Sequence, residues 1–165
     1  MKTSFVSRLY KTIEYWCSEK GFPEYVTITL VSLLFFGLAT TIHELGHVIV
    51  ANLLGCEATI FDLQLLTGAT SVGECSNTNL IIISLAGPLT AFAVGLLLWF
   101  YEENGTPRIL ALILFFLSSV LQLFPIEYLD MGQAIKFGLN PIVGWIIFFA
   151  VFSIAMNLIW LEIKD

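Results

Sequence analysis

Charge is what this chain has least of. Of its 165 residues, 7 are Lys or Arg and 13 are Asp or Glu, 12% in all, where a soluble domain carries about 25%. A surface built to be solvated by water is not what such a composition supplies. The balance of −6 removes the expectation of a nucleic-acid partner. Cysteine is scarce and odd in number, so no disulfide framework is expected. Cys56 and Cys75 bracket one loop and could pair, but the reading favours unpaired thiols behaving as small hydrophobes. Nor is a cleavable signal peptide expected from the opening residues. Residues 1–24 mix charge with aromatics and hold no continuous apolar core, so the first span is expected to act as the insertion signal. Histidine is the rarest chemistry-bearing residue, and both copies fall within one five-residue stretch.

What the chain has in quantity is apolar residues, 58% of the total, with a mean hydropathy of +0.89. Four runs reach the length needed to cross a hydrocarbon core, about 20 residues at 1.5 Å each: 26–54, 80–100, 109–126 and 141–161. The first is long enough to tilt or protrude. Ahead of it, Phe5, Leu9, Ile13 and Trp16 recur at helical spacing, with Arg8, Lys11, Glu14 and Glu19 largely on other faces. That pattern suits an interfacial amphipathic helix; an ordinary packed helix with a solvated face fits as well. Residues 57–79 differ in kind. Phe61, Leu63 and Leu65 alternate with Asp62 and Gln64, which is strand periodicity. Thr67-Gly68 can turn the chain and Gly73 can end a return strand. The expected fold is an all-α integral membrane protein. It has about four transmembrane helices, an N-terminal interfacial helix and a short β-hairpin-like loop after the first span.

The two histidines lie in His43-Glu44-Leu45-Gly46-His47. One helical turn separates them, so both imidazoles leave the same face and can grip one metal ion. Glu44 is rotated away and can serve as general base toward a metal-activated water. Ionisable residues at membrane depth are costly and are read as functional. A catalytic zinc takes three protein ligands, so one more is needed. Counting spans from the N-terminal side places Glu57, Asp62, Glu74, Glu127 and Asp130 on the side of the histidines. Glu102 and Glu103 fall on the other. Asp130 is the preferred third ligand, because Leu129 and Met131 flank it and an unpaired carboxylate is expensive among apolar neighbours. Thr40, Thr41, Ser84 and Gln122 are candidate polar linings for water. A strand edge within 59–73 could hold an extended substrate by β-addition, with Leu63 and Leu65 as its contacts. Ala86-Gly87-Pro88 offers close helix contact.

In these residues the chain resembles the site-2 protease family of intramembrane zinc metalloproteases. Three places carry the resemblance in order: His43-Glu44-Leu45-Gly46-His47, Ala86-Gly87-Pro88-Leu89, and Phe124-Pro125-Ile126-Glu127-Tyr128-Leu129-Asp130-Met131-Gly132. It implies one Zn²⁺ on His43, His47 and Asp130, a catalytic Glu44, and substrates that are membrane proteins cleaved within or beside a transmembrane segment. The third place departs from the family's Asn-x-x-Pro-x-Pro-x-Leu-Asp-Gly-Gly. Gln122 stands for the asparagine, Glu127 for the second proline and Met131 for the first glycine, while Pro125, Leu129, Asp130 and Gly132 match. Gln122 is thereby a candidate substrate-positioning residue. The organisation expected is one membrane-embedded domain over 1–165: an interfacial segment 1–24, a catalytic core 26–132 and an additional span 141–161, with no appended module.

Two matters stay open at this level. Lys11, Lys20, Arg108 and Lys164 near span ends, against Lys136 alone on the other side, put the metal toward the outside; the resemblance puts it nearer the cytosol. The alternatives to a protease are a noncatalytic scaffold for partner helices and a metal transporter or sensor. Homo-oligomers are compatible with the sequence.

Overall fold

The computed structural model of the protein describes residues 22–63, 68–101 and 116–164. The expected interfacial helix lies almost wholly outside them; Phe22, Pro23 and Glu24 belong instead to the first long helix, α1 (Phe22–Leu53). The chain divides into two units, Met1–Leu34 and Phe35–Asp165. What is described of the first is the opening of α1, on which Leu30, Leu33 and Leu34 are exposed.

The second unit continues α1 and adds a hairpin, β1 (Ala58–Leu63) and β2 (Gly68–Val72). It goes on to α2 (Asn77–Tyr101), a π-helical segment Phe116–Val120, the short α3 (Asp130–Lys136) and α4 (Pro141–Lys164). Three helical stretches among the described residues are long and apolar enough to cross a membrane: Thr29–Leu53, Asn77–Phe100 and Pro141–Leu161. Their outward faces carry Leu53, Phe100 and Ile142 at 80, 76 and 68% exposure. Apolar surface on that scale suits hydrocarbon rather than water.

The expected span 109–126 is corrected at its end. Residues 102–115 are outside the described set, and the remainder stops being helical at Val120, with a turn over 121–124. Pro125 explains the early stop. It has no N–H for the carbonyl one turn back, and it biases the preceding residue away from helical angles. The chain then folds back until the Met131 N–H donates to the Gln122 carbonyl at 3.1 Å, which satisfies one free donor at the start of α3.

Helix ends follow their local sequence. Gly55, at φ 75°, ends α1, and the Cys56 N–H reaches back to the Ala51 carbonyl at 2.9 Å. Gly138, at φ 114°, ends α3 in the same way, with Leu139 N–H on Ala134. Ser76 Oγ accepts from Asn79 N–H at the start of α2, and Asn140 Oδ1 from Ile142 N–H just before Pro141 opens α4.

Lipid is as apolar as leucine, so helices in a membrane associate through close packing rather than water exclusion. At Gly46 an added Cβ would lie 2.7 Å from Thr90 Oγ1 and 2.9 Å from the Ala86 carbonyl oxygen; the helices meet there backbone to backbone. A second contact joins Val120, Leu123 and Met131 to Phe148, Val151 and Ala155 of α4. Phe124, Trp145 and Phe148 close it edge to face, with centroids 5.1 to 5.9 Å apart, each pair contributing about 1 kcal/mol beyond its area.

The hairpin is antiparallel, running from Ala58↔Val72 to Leu63↔Gly68, with an irregularity between Ile60 and Asp62. It has the expected place, but Gly68, read as part of the turn, is the first residue of β2 and pairs with Leu63, while residues 64–67 lie outside the described set. Its base departs from expectation: Cys56 and Cys75 are joined as a disulfide, Cα to Cα 5.9 Å, where unpaired thiols were the favoured reading. The Gly55 turn and the Ser76 cap bring the two flanks together over a small core of Ala51, Cys56 and Ile83.

Candidate metal centre

α1 carries the first two groups. His43 and His47 are one turn apart and buried, and their Nε2 atoms lie 3.2 Å from each other. The third comes from the first residue of α3. Asp130 Oδ2 is 2.9 Å from His43 Nε2 and 3.5 Å from His47 Nε2. Glu57, Asp62, Glu74 and Glu127, the other acidic candidates on that side, are exposed and outside the cluster.

The arrangement fits a divalent cation by three observations. Ile83 O lies 2.7 Å from His47 Nδ1. A carbonyl only accepts, so Nδ1 carries the hydrogen and the neutral ring turns its Nε2 lone pair into the cluster. Such a bond is the usual orienting partner of a ligating histidine. Asp130 Oδ2 is buried and faces the two imidazole Nε2 atoms; when those nitrogens present lone pairs, three acceptors converge, and a cation among them would satisfy all three. The separations of 2.9, 3.2 and 3.5 Å straddle the edge of about 3.3 Å that a tetrahedron with bonds near 2.0 Å requires. His43, His47 and Asp130 are therefore able to hold a metal ion together.

Glycines make the convergence sterically possible. A Cβ at Gly87 would collide with the His47 imidazole, so α2 passes the ring with bare backbone. Pro88, one residue on, removes an N–H from the ladder next to the carbonyl that His47 uses. At Gly132 a Cβ would overlap the Ile126 carbonyl, so only glycine lets the 121–129 turn close on α3. Met131, which breaks the family's glycine pair, is fully buried, and Gly144 of α4 makes room for it: a Cβ at 144 would lie 3.1 Å from the Met131 sulfur. We expect Gly87→Ala to displace the His47 ring and weaken metal binding at least about tenfold, read as metal content at unchanged helicity.

Glu44 is as buried as the histidines. Its Oε2 accepts from Thr70 Oγ1 at 2.6 Å. It lines a cavity of about 470 Å³ together with His47, Asp130, Ser84 and strand β2. Of the four expected water-lining residues, Ser84 alone is among the residues lining this cavity; Thr40 and Thr41 bond back to Phe36 and Gly37 of their own helix. Leu63 is exposed on β1 and away from the cavity lining, and Leu65 lies outside the described residues. Gln122 contributes its main-chain carbonyl to α3 and is also absent from the lining. Sequence reasoning missed Thr70 and the Ile83 carbonyl.

Apolar helices gathered about a buried His–His–carboxylate cluster define a multi-pass membrane protein able to hold one divalent cation. The chain belongs to the Peptidase M50B-like family, whose model matches residues 24–126, more than half of its length. That family comprises zinc-dependent membrane proteases, as the resemblance to site-2 proteases implied. The match covers both histidines, Glu44 and Gly87 but stops short of Asp130, whose case is geometric. Neither a curated protein nor a solved structure matches the chain.

Proposed function

We propose that the protein is an intramembrane zinc endopeptidase that hydrolyses peptide bonds within or next to transmembrane segments of other membrane proteins. The observation that carries this reading is the convergence of His43, His47 and Asp130 beside a cavity that Glu44 also lines. Zinc held by these three residues supplies a Lewis acid, which acidifies water and draws charge from a carbonyl oxygen. Glu44 is the general base: it takes a proton from the attacking water and returns it to the departing amine. A transmembrane helix hides its carbonyls in its own hydrogen bonds, so the substrate must unwind before it can react. β2, with one edge unpaired by β1, offers backbone partners for the unwound segment. In this proposal the return strand joins Leu63 and Leu65 as a candidate substrate contact.

The test uses purified full-length protein and a labelled single-span membrane substrate. Cleavage is expected to stop with a zinc chelator and return with zinc. Bound metal with no cleavage of any membrane substrate would favour a scaffold or a metal-handling protein instead.

A further inference from the structure

We propose that Thr70 is a positioning residue for Glu44, so that the hairpin's return strand decides where the carboxylate points. The inference rests on the protease reading above and deepens it. Two residues of β2 touch Glu44. Thr70 donates its hydroxyl to Oε2 at 2.6 Å, a short, charge-assisted geometry. Gly68 leaves room for the rest: a Cβ there would collide with Glu44 Cγ and lie 2.7 Å from Oε1. Residues 68 and 70 are two apart on one strand and face the same way, so β2 grips the carboxylate from a single face. Helix α1 supplies the glutamate, but a flexible three-torsion side chain is not aimed by its helix alone.

The contact has a consequence for chemistry. With Oε2 engaged by Thr70, the side chain is held in one orientation through a hydrogen bond that it accepts. β2 also lines the cavity through Gly68, Ala69, Thr70 and Val72. A segment laid along its open edge therefore sits in fixed register with the residue that orients the base.

Thr70→Val removes the hydroxyl at nearly constant shape, and Thr70→Ser keeps it. With zinc content equal to wild type, Thr70→Val is expected to lower kcat about ten- to a hundredfold, the worth of one hydrogen bond to a charged group, with KM little changed. Thr70→Ser should recover most of the loss. The second readout needs no activity: the Glu44 carboxylate stretch, isolated by infrared difference against Glu44→Gln, should shift in Thr70→Val and stay in place in Thr70→Ser. Gly68→Ala keeps the hydroxyl but crowds the carboxylate, and should shift the same band. An unmoved band in Thr70→Val, or a Thr70→Ser protein as impaired as Thr70→Val, overturns the proposal. Should the band shift as expected while the wild type cleaves nothing, the positioning contact stands and the protease reading falls.

Discussion

Glu44→Gln should leave the metal in place and bring hydrolysis down by about 10²–10⁴. The two halves of that expectation come from different observations. The metal half follows because the cluster able to hold an ion is His43, His47 and Asp130, with Glu44 outside it. Glutamine has the size of glutamate, and its side-chain carbonyl can still accept from Thr70, so the pocket around position 44 keeps its shape. The catalytic half follows because an amide cannot take a proton from water. Elemental analysis beside cleavage of a labelled substrate separates the two. Unchanged cleavage refutes Glu44 as base, and lost metal refutes the division of roles between Glu44 and the cluster.

Some of this centre could be read from the chain and some could not, for physical reasons. His43, Glu44 and His47 were legible because helical periodicity alone puts two imidazoles on one face and rotates the residue between them away. Asp130 was legible because an apolar setting makes a lone carboxylate expensive and span counting put it on the right side. The hairpin was legible from alternation over 61–65. Which of its strands faces the cavity was not, since a period of two marks faces and says nothing about edges or neighbours. So Leu63 and Leu65 were named for the substrate, while Gly68 and Thr70, the β2 residues against Glu44, were not seen. The Ile83 carbonyl left no signal at all, because any residue supplies a carbonyl. Gly87 was visible as a small residue fit for close helix packing, but its neighbour, the His47 ring, is 40 positions away in sequence. The Cys56–Cys75 pairing failed for a related reason: cysteine count speaks to frameworks, whereas this pair depends on how a glycine turn and a serine cap close one hairpin. Met131 looked like damage to a motif; Gly144, on a helix beyond the motif, accommodates it.

Asp130→Ala should strip the protein of metal. Two imidazoles from one helix turn remain, but the only anionic ligand of the cluster is gone. Loss of an outer-shell partner alone costs 10–100-fold in metal affinity, so loss of the ligand should cost at least about 100-fold. In the metal-free protein Asp130 Oδ2 lies 2.9 Å from His43 Nε2 and 3.5 Å from His47 Nε2, so the substitution also removes a partner of two buried imidazoles and its metal-free baseline is measured separately. Thermal unfolding of the metal-free wild type and variant gives that baseline. Added zinc then separates them. At free zinc 100 times its dissociation constant, wild type gains about 2.7 kcal/mol by mass action; the variant at the same zinc gains a small fraction of that. A variant that still binds zinc at full occupancy would move the third ligand elsewhere.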